Sequence, residues 1–218
     1  LLLVDPGGVP GPAPPANGAE VVNTGIAPVW MVDVTSNSYM GYNTTNGVWT
    51  GGDTGFQTLV STQATGVNGP AITPGLGQVG YSHVYNTTNG TISANPGVGS
   101  VIDVTAAQTL GINLDVYALR TNSNLTPGAG NTITFSGGHA GMGGILFSNT
   151  TGTATIAPNA AGRLTAPSTL NFGIGEAIIF VANGGTGAVN SQITANNLTK
   201  FGAGTLTLNG VNSGLTGN

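Results

Sequence analysis

The chain has 218 residues, 38 of them glycine, no cysteine, three basic and seven acidic side chains, and a formal net charge of −4. Only 5% of its residues are charged, where soluble domains carry about 25%. With 31 threonines and 23 asparagines beside the glycines, a helical bundle is excluded, because each of these types costs about 0.5–1 kcal/mol in a helix relative to alanine. Three cations, Arg120, Arg163 and Lys200, cannot neutralise a run of phosphates, so nucleic acid and polybasic membrane binding are excluded too.

An apolar share of 39% suffices for a core and speaks against disorder, so an all-β chain is expected. Residues 1–20 read as an extended Pro/Gly-rich arm, since proline lacks a donor and cannot enter a sheet interior. Pro10, Pro12, Pro14 and Pro15 of this arm are candidate assembly contacts.

Residues 21–99 read as a β-rich region with hairpins. Apolar clusters at Val21-Val22, Val29 to Val34, Val48-Trp49 and Phe56 to Val60 are separated by turn residues. Asn46-Gly47 is a hairpin signal, because a type I′ turn needs positive φ at both central positions. The hexamer YNTTNG occurs at Tyr42 to Gly47 and again at Tyr85 to Gly90. No apolar run is long enough for a transmembrane helix.

Residues 100–218 read as a β-solenoid. Strands are expected at Val101 to Thr105 and Gly111 to Leu119, where Leu114 and Val116 alternate with Asp115 and Tyr117. Beyond residue 130 the short runs TITFS, ILFS, TATIA, TLNF, AIIFVA, SQITA and TLTLN are each followed by Gly, Asn or Pro, the spacing of a sandwich, barrel or solenoid. Charge is too scarce to blunt sheet edges, and a solenoid covers each edge with the next coil. The C-terminal run has no cap, so its last coil is expected to pair with more protein.

Leu198, Lys200, Gly202, Gly204, Thr205, Leu206, Leu208, Gly210, Asn212, Thr216 and Gly217 fall on the pattern L-x-K-x-G-x-G-T-L-x-L-x-G-x-N, followed by T-G. This segment resembles the autotransporter-associated β-strand repeat of bacterial passenger domains, and the Gly/Asn/Thr style of residues 130–197 is similar. The resemblance implies a right-handed parallel β-helix outside the cell, serving as stalk, adhesin or surface layer. Alternation of Leu206 and Leu208 with Thr205 and Thr207 fits one apolar and one hydroxyl-bearing face, and Gly202 and Gly204 fit a tight corner.

Candidate chemistry is sparse. Gly75 to Gly80 spells G-x-G-x-x-G, but neither a strand before nor a helix after is expected, so no dinucleotide site follows. No G-x-S-x-G elbow is present. His83 and His139 are too far apart for a local metal site. Gly51-Gly52-Asp53 resembles the start of a calcium nonapeptide without a second copy. Asp103 and Asp115, with Asp33 and Glu176, are the acids available to a polysaccharide-cleaving enzyme, whose chemistry needs two converging carboxylates. Trp30 and Trp49, with Tyr39 and Tyr42, are candidates for glycan stacking. Asn43, Asn86, Asn89, Asn124, Asn149 and Asn197 stand in glycosylation sequons.

The residues together read as a non-catalytic extracellular or cell-surface bacterial protein with no cofactor and no metal. Its expected partners are copies of itself, stacked end to end into a fibre or sheath, with glycans or cell-surface polymers as further partners. Leu206, Leu208, Val211 and Leu215 would form the C-terminal joint. A glycan-binding adhesin fragment and a polysaccharide-cleaving β-helix enzyme are the alternatives.

Overall fold

The computed structural model describes residues 29–43, 55–59, 61, 81–136, 143–158 and 167–217. The described residues are all-β, without helix. Three short N-terminal strands, β1 (Val32–Asp33), β2 (Ser38–Asn43) and β3 (Gly55–Thr58), form an antiparallel sheet. The β2–β3 register pairs Asn43 with Gly55 and Met40 with Thr58. Its centre is residue 49, so this pairing is not that of a two-residue turn at Asn46-Gly47, which itself lies outside the described residues.

All later strands pair in parallel. β4 (His83–Tyr85) and β5 (Gly90–Ile92) open the stack, followed by β6 (Val101–Val104), β7 (Gln108–Leu110) and β8 (Leu114–Val116). The next coil holds β9 (Ala118–Thr121), β10 (Leu125–Pro127) and β11 (Thr132–Phe135), and the one after it β12 (Gly143–Phe147), β13 (Thr153–Ile156) and β14 (Thr169–Asn171). β15 (Glu176–Val181), β16 (Thr186–Val189) and β17 (Gln192–Ala195) precede the last described coil, β18 (Asn197–Phe201), β19 (Thr205–Leu208) and β20 (Gly214–Leu215).

Successive strands take their places in three different sheets, ordered β4-β6-β9-β12-β15-β18, β5-β7-β10-β13-β16-β19 and β8-β11-β14-β17-β20. This is a solenoid-like stack of three-sided coils. It begins at β4, ahead of residue 100. The second YNTTNG is therefore a coil corner rather than a hairpin: β4 and β5 belong to different sheets, and Asn89 turns the chain with φ 57°. Gly111 to Leu119 is likewise two strands, β8 and the start of β9, with Tyr117 alone at the corner.

Inside the coils, side chains stack in columns set by the parallel register. Ile102, Leu119, Ile145 and Ile179 form one such column, and Leu114, Ile133, Leu170 and Ile193 another. All belong to one buried cluster, each large side chain contributing about 2 kcal/mol of burial. Phe135 and Phe172 stack with ring centroids 4.2 Å apart and planes at 3°.

The sheet faces explain the two kinds of strand sequence. TITF and TATI alternate because their outer faces meet solvent, whereas VIDV, GGILF and AIIFV are buried at nearly every position. A strand covered on both faces reads as a continuous apolar run. The β4–β18 sheet is that case, its outer side carrying a second apolar cluster with Val29, Tyr39 and Leu59 of the N-terminal region.

Asparagine and threonine have places in the same repeat. Oδ1 of Asn95, Asn113 and Asn124 accepts the backbone N–H of Asp115, Thr132 and Thr155 respectively, each one coil further on. Thr91, Thr109 and Thr126 stand in one column, and Thr153, Thr186 and Thr205 in another.

Candidate functional site

Two places in the fold carry more than packing. The first lies where the N-terminal sheet covers the outer face of the β4–β18 sheet. Asp103 on β6 and Arg120 on β9 are register partners in adjacent coils, with Arg120 Nη1 2.8 Å from Asp103 Oδ2. Ser61 donates to the same carboxylate oxygen, and Arg120 Nε donates to the Asn37 carbonyl at 2.9 Å. The guanidinium also sits 5.8 Å from the Tyr81 ring centroid. Tyr81 Oη lies 2.6 Å from Ser38 Oγ, and Tyr39 Oη donates to the Leu119 carbonyl.

Burial governs the ionisation of this cluster. Desolvation raises the Asp103 pKa above its ordinary value, against the pull of Arg120 and the Ser61 hydroxyl. The Tyr39 and Tyr81 phenols are likewise pushed up by burial, and that of Tyr117 to about 12. The surroundings thus favour neutral phenols and close the Asp103 carboxylate from water, while the Arg120 side chain is 16% exposed. The N-terminal sheet fits here because Gly144 leaves room: a Cβ on it would stand 2.6 Å from Val29 Cβ and 3.1 Å from Tyr39 Oη.

The second place is the far edge of β18, β19 and β20, the last strands of their three sheets. Leu198, Leu206, Leu208 and Leu215 pack on the main core but are only partly buried, and Val211 is 71% exposed. Lys200 ends the column of Ile102, Leu119, Ile145 and Ile179, its Nζ donating to the Gly202 carbonyl at 2.6 Å. Of the joint residues expected from sequence, Leu206, Leu208, Val211 and Leu215 all lie in this last described coil. Pro10, Pro12, Pro14 and Pro15 lie outside the described residues.

Asp103 and Asp115 do not converge, because β6 and β8 belong to different sheets. Asp103 is buried under the N-terminal sheet, while Asp115 stands on the outer face of the β8–β20 sheet, taking a 2.7 Å hydrogen bond from Asn95 Nδ2. Asp33 accepts from Thr35 N, Ser36 and Thr58, which lowers its pKa, and Glu176 accepts from Thr199. Among the described residues no group of three or more His, Asp or Glu is placed to hold a metal ion. His83 heads the Ile102 column, and burial lowers its pKa. His139, Asp53 and Gly75 to Gly80 lie outside the described residues.

Trp30 is 38% exposed, but Tyr39 is a buried core residue rather than part of a stacking platform. Trp49 and the Tyr42 side chain lie outside the described residues. Among the sequon asparagines, Asn89, Asn124 and Asn197 are exposed and Asn86 is half-buried; the Asn43 side chain is outside the description. Asn149 is buried, and its Nδ2, the atom a glycan would occupy, donates to the carbonyls of Gly152 at 2.9 Å and Thr186 at 3.1 Å. It holds a corner instead. The Asp103–Arg120 pair escapes sequence reading, because the separation of these residues signals a contact only once the coil register is known.

What the described residues define is a parallel-sheet, solenoid-like all-β protein with one clamped outer face. Comparison with protein families, curated proteins and solved structures finds no match. No helix among the described residues is long and apolar enough to cross a membrane.

Proposed function

We propose that the chain is a non-catalytic structural protein of the bacterial cell surface, a right-handed parallel β-helix of the passenger-repeat type that pairs with further protein through the β18–β20 edge. The observation that carries this reading is the row of half-covered leucines, Leu198, Leu206, Leu208 and Leu215, beside three strand edges without partners among the described residues. Unpaired N–H and C=O groups flanked by apolar side chains are a template for another strand. Right-handedness is supported by the general rule for parallel crossovers. The surface placement is supported by the scarcity of charge, and the non-catalytic reading by the placement of Asp103 and Asp115 on different sheets.

End-to-end contact of this kind is heterologous and gives an open fibre when its rotation does not close. Electron microscopy of the purified chain over a dilution series tests it. Elongated particles of constant width that shorten on dilution are expected. Compact single particles at every concentration would refute association through the edge.

A further inference from the structure

An asparagine followed by glycine can rearrange by itself, because the next backbone nitrogen reaches the side-chain amide carbon and glycine has no Cβ to hinder the approach. The sequence has this pair at Asn17, Asn46, Asn68, Asn89, Asn183 and Asn209. Asn89, Asn183 and Asn209 fall among the described residues, and all three are exposed. Exposure of the asparagine therefore does not separate them, but the state of the following amide does. Gly90 is buried and its N–H donates to the Thr87 carbonyl at 3.2 Å, while the Gly210 N–H donates to that of Val189 at 3.3 Å. Asn209 is also held by its own side chain, its Nδ2 donating to Asn190 Oδ1 at 2.9 Å. At the corner between β15 and β16 the turn is closed by the Gly185 N–H and the Ala182 carbonyl, 3.2 Å apart. The peptide between Asn183 and Gly184 stays outside that bond. Gly184 is exposed, and among the described residues neither its N–H nor the Asn183 side chain has a hydrogen-bond partner.

We propose that the Asn183-Gly184 corner is a self-modification site, at which the chain deamidates through a cyclic imide. The Gly184 nitrogen loses its proton and attacks Asn183 Cγ, forming a new N–C bond. The bond from Cγ to the side-chain nitrogen breaks, and that nitrogen leaves as ammonia, taking up the proton. Water then opens the ring at one of its two carbonyls and yields aspartate or isoaspartate with a free carboxyl group. Water is the only co-reactant, and no cofactor or oxidant takes part. The peptide at this corner can turn toward the side chain without first giving up a hydrogen bond, which those at Asn89 and Asn209 cannot. The product brings a negative charge to a side of the solenoid that has none: the corresponding corners at residues 86–89, 105–107, 122–124, 148–152 and 202–204 are all uncharged.

Peptide mapping by mass spectrometry tests the assignment. The full chain is held in mildly alkaline buffer, once folded and once unfolded in urea, and conversion of amide to acid is followed separately at Asn89, Asn183 and Asn209. Asn17, Asn46 and Asn68 lie outside the described residues and do not enter the ranking. The unfolded chain supplies the intrinsic rate of each pair, since every following residue is glycine.

In the folded chain Asn183 is expected to convert at least about fivefold faster than Asn89 or Asn209, whose following amides must first break a hydrogen bond by local opening. In urea the three rates are expected to converge. Conversion at Asn89 or Asn209 as fast as at Asn183 in the folded chain would overturn the proposal, as would an Asn183 that reacts only when unfolded. The same preference for Asn183 in urea would overturn it too, because the cause would then be local sequence and not the free corner peptide.

Discussion

Arg120 reaches back one coil to Asp103, its Nη1 2.8 Å from Oδ2, while its Nε holds the Asn37 carbonyl of the N-terminal region. One side chain therefore ties two coils and the covering sheet together, in a place where Asp103 is wholly buried. Arg120→Met leaves that carboxylate without its cation, and urea denaturation is expected to show a loss of about 3–5 kcal/mol. The double variant Asp103→Leu with Arg120→Met is expected to recover most of it, since a well-packed apolar pair removes the stranded charge. A single variant as stable as the parent would mean that the pair does not clamp the cover.

Stability should depend on pH in two windows of opposite sign. Asp103 has a pKa raised by burial, so the folded state holds its proton more tightly than the unfolded one. Its contribution is full below the ordinary value of 3.8 and is lost as pH rises through the folded value. His83 has a pKa lowered by burial from 6.5, so its contribution is present above that value and is lost as pH falls through the folded one. Asp33 opposes Asp103, its lowered pKa making its contribution fall away in acid. Denaturation profiles of Asp103→Asn and His83→Gln, each subtracted from the parent, should isolate the two slopes. A flat difference profile for Asp103→Asn would contradict the assigned burial.

Gly144 is expected to tolerate no side chain while the N-terminal sheet is docked. A Cβ there meets Val29 and Tyr39, so Gly144→Ala should cost about 1–3 kcal/mol by overpacking. Near-ultraviolet circular dichroism should lose tyrosine signal as the cover shifts. An unchanged spectrum with unchanged stability would show that the cover does not press on this coil.

Asn149 behaves as a corner brace. Asn149→Ala removes the amide that serves the Gly152 and Thr186 carbonyls, and calorimetry should register a loss of about 1–3 kcal/mol. The same substitution at exposed Asn89 tests a different effect, because Asn89 holds φ 57° and alanine there meets only backbone strain of about 1–2 kcal/mol.

The sequence shows most of the later strands because they alternate about a single buried face. TITF, TATI and TLTL declare themselves by Ile133, Ile156 and Leu206 against outward threonines. Strands whose inward residues are small or few were not distinguishable: β10 ends in Pro127, β16 is Thr-Gly-Ala-Val, and β20 is two residues long. Sheet changes at Tyr117 and Asn196 use a single corner residue and leave no turn signature. Asn89 was misleading for a related reason. Its left-handed conformation serves a solenoid corner as well as a hairpin, so the local signal was real while its topology depended on distant strands.

The edge was legible in part. Leu206 and Leu208 stand out by alternation, but their half-covered state depends on which coil is last in the stack. The glycines of residues 202–217 were visible as a pattern, whereas their reason, the carbonyls of Val181, Ala182 and Ser191 just beneath them, required the fold. The clamp was hidden altogether, since nothing in VIDV or ALRT marks Asp103 and Arg120 as neighbours.

Sedimentation velocity of the parent chain and of Leu206→Lys with Leu208→Lys, over a dilution series, tests association through the edge most directly. The parent should show a sedimentation coefficient that rises with concentration, and the double variant should remain at the monomer value throughout. A parent that stays monomeric, or a variant that associates as the parent does, would contradict the account.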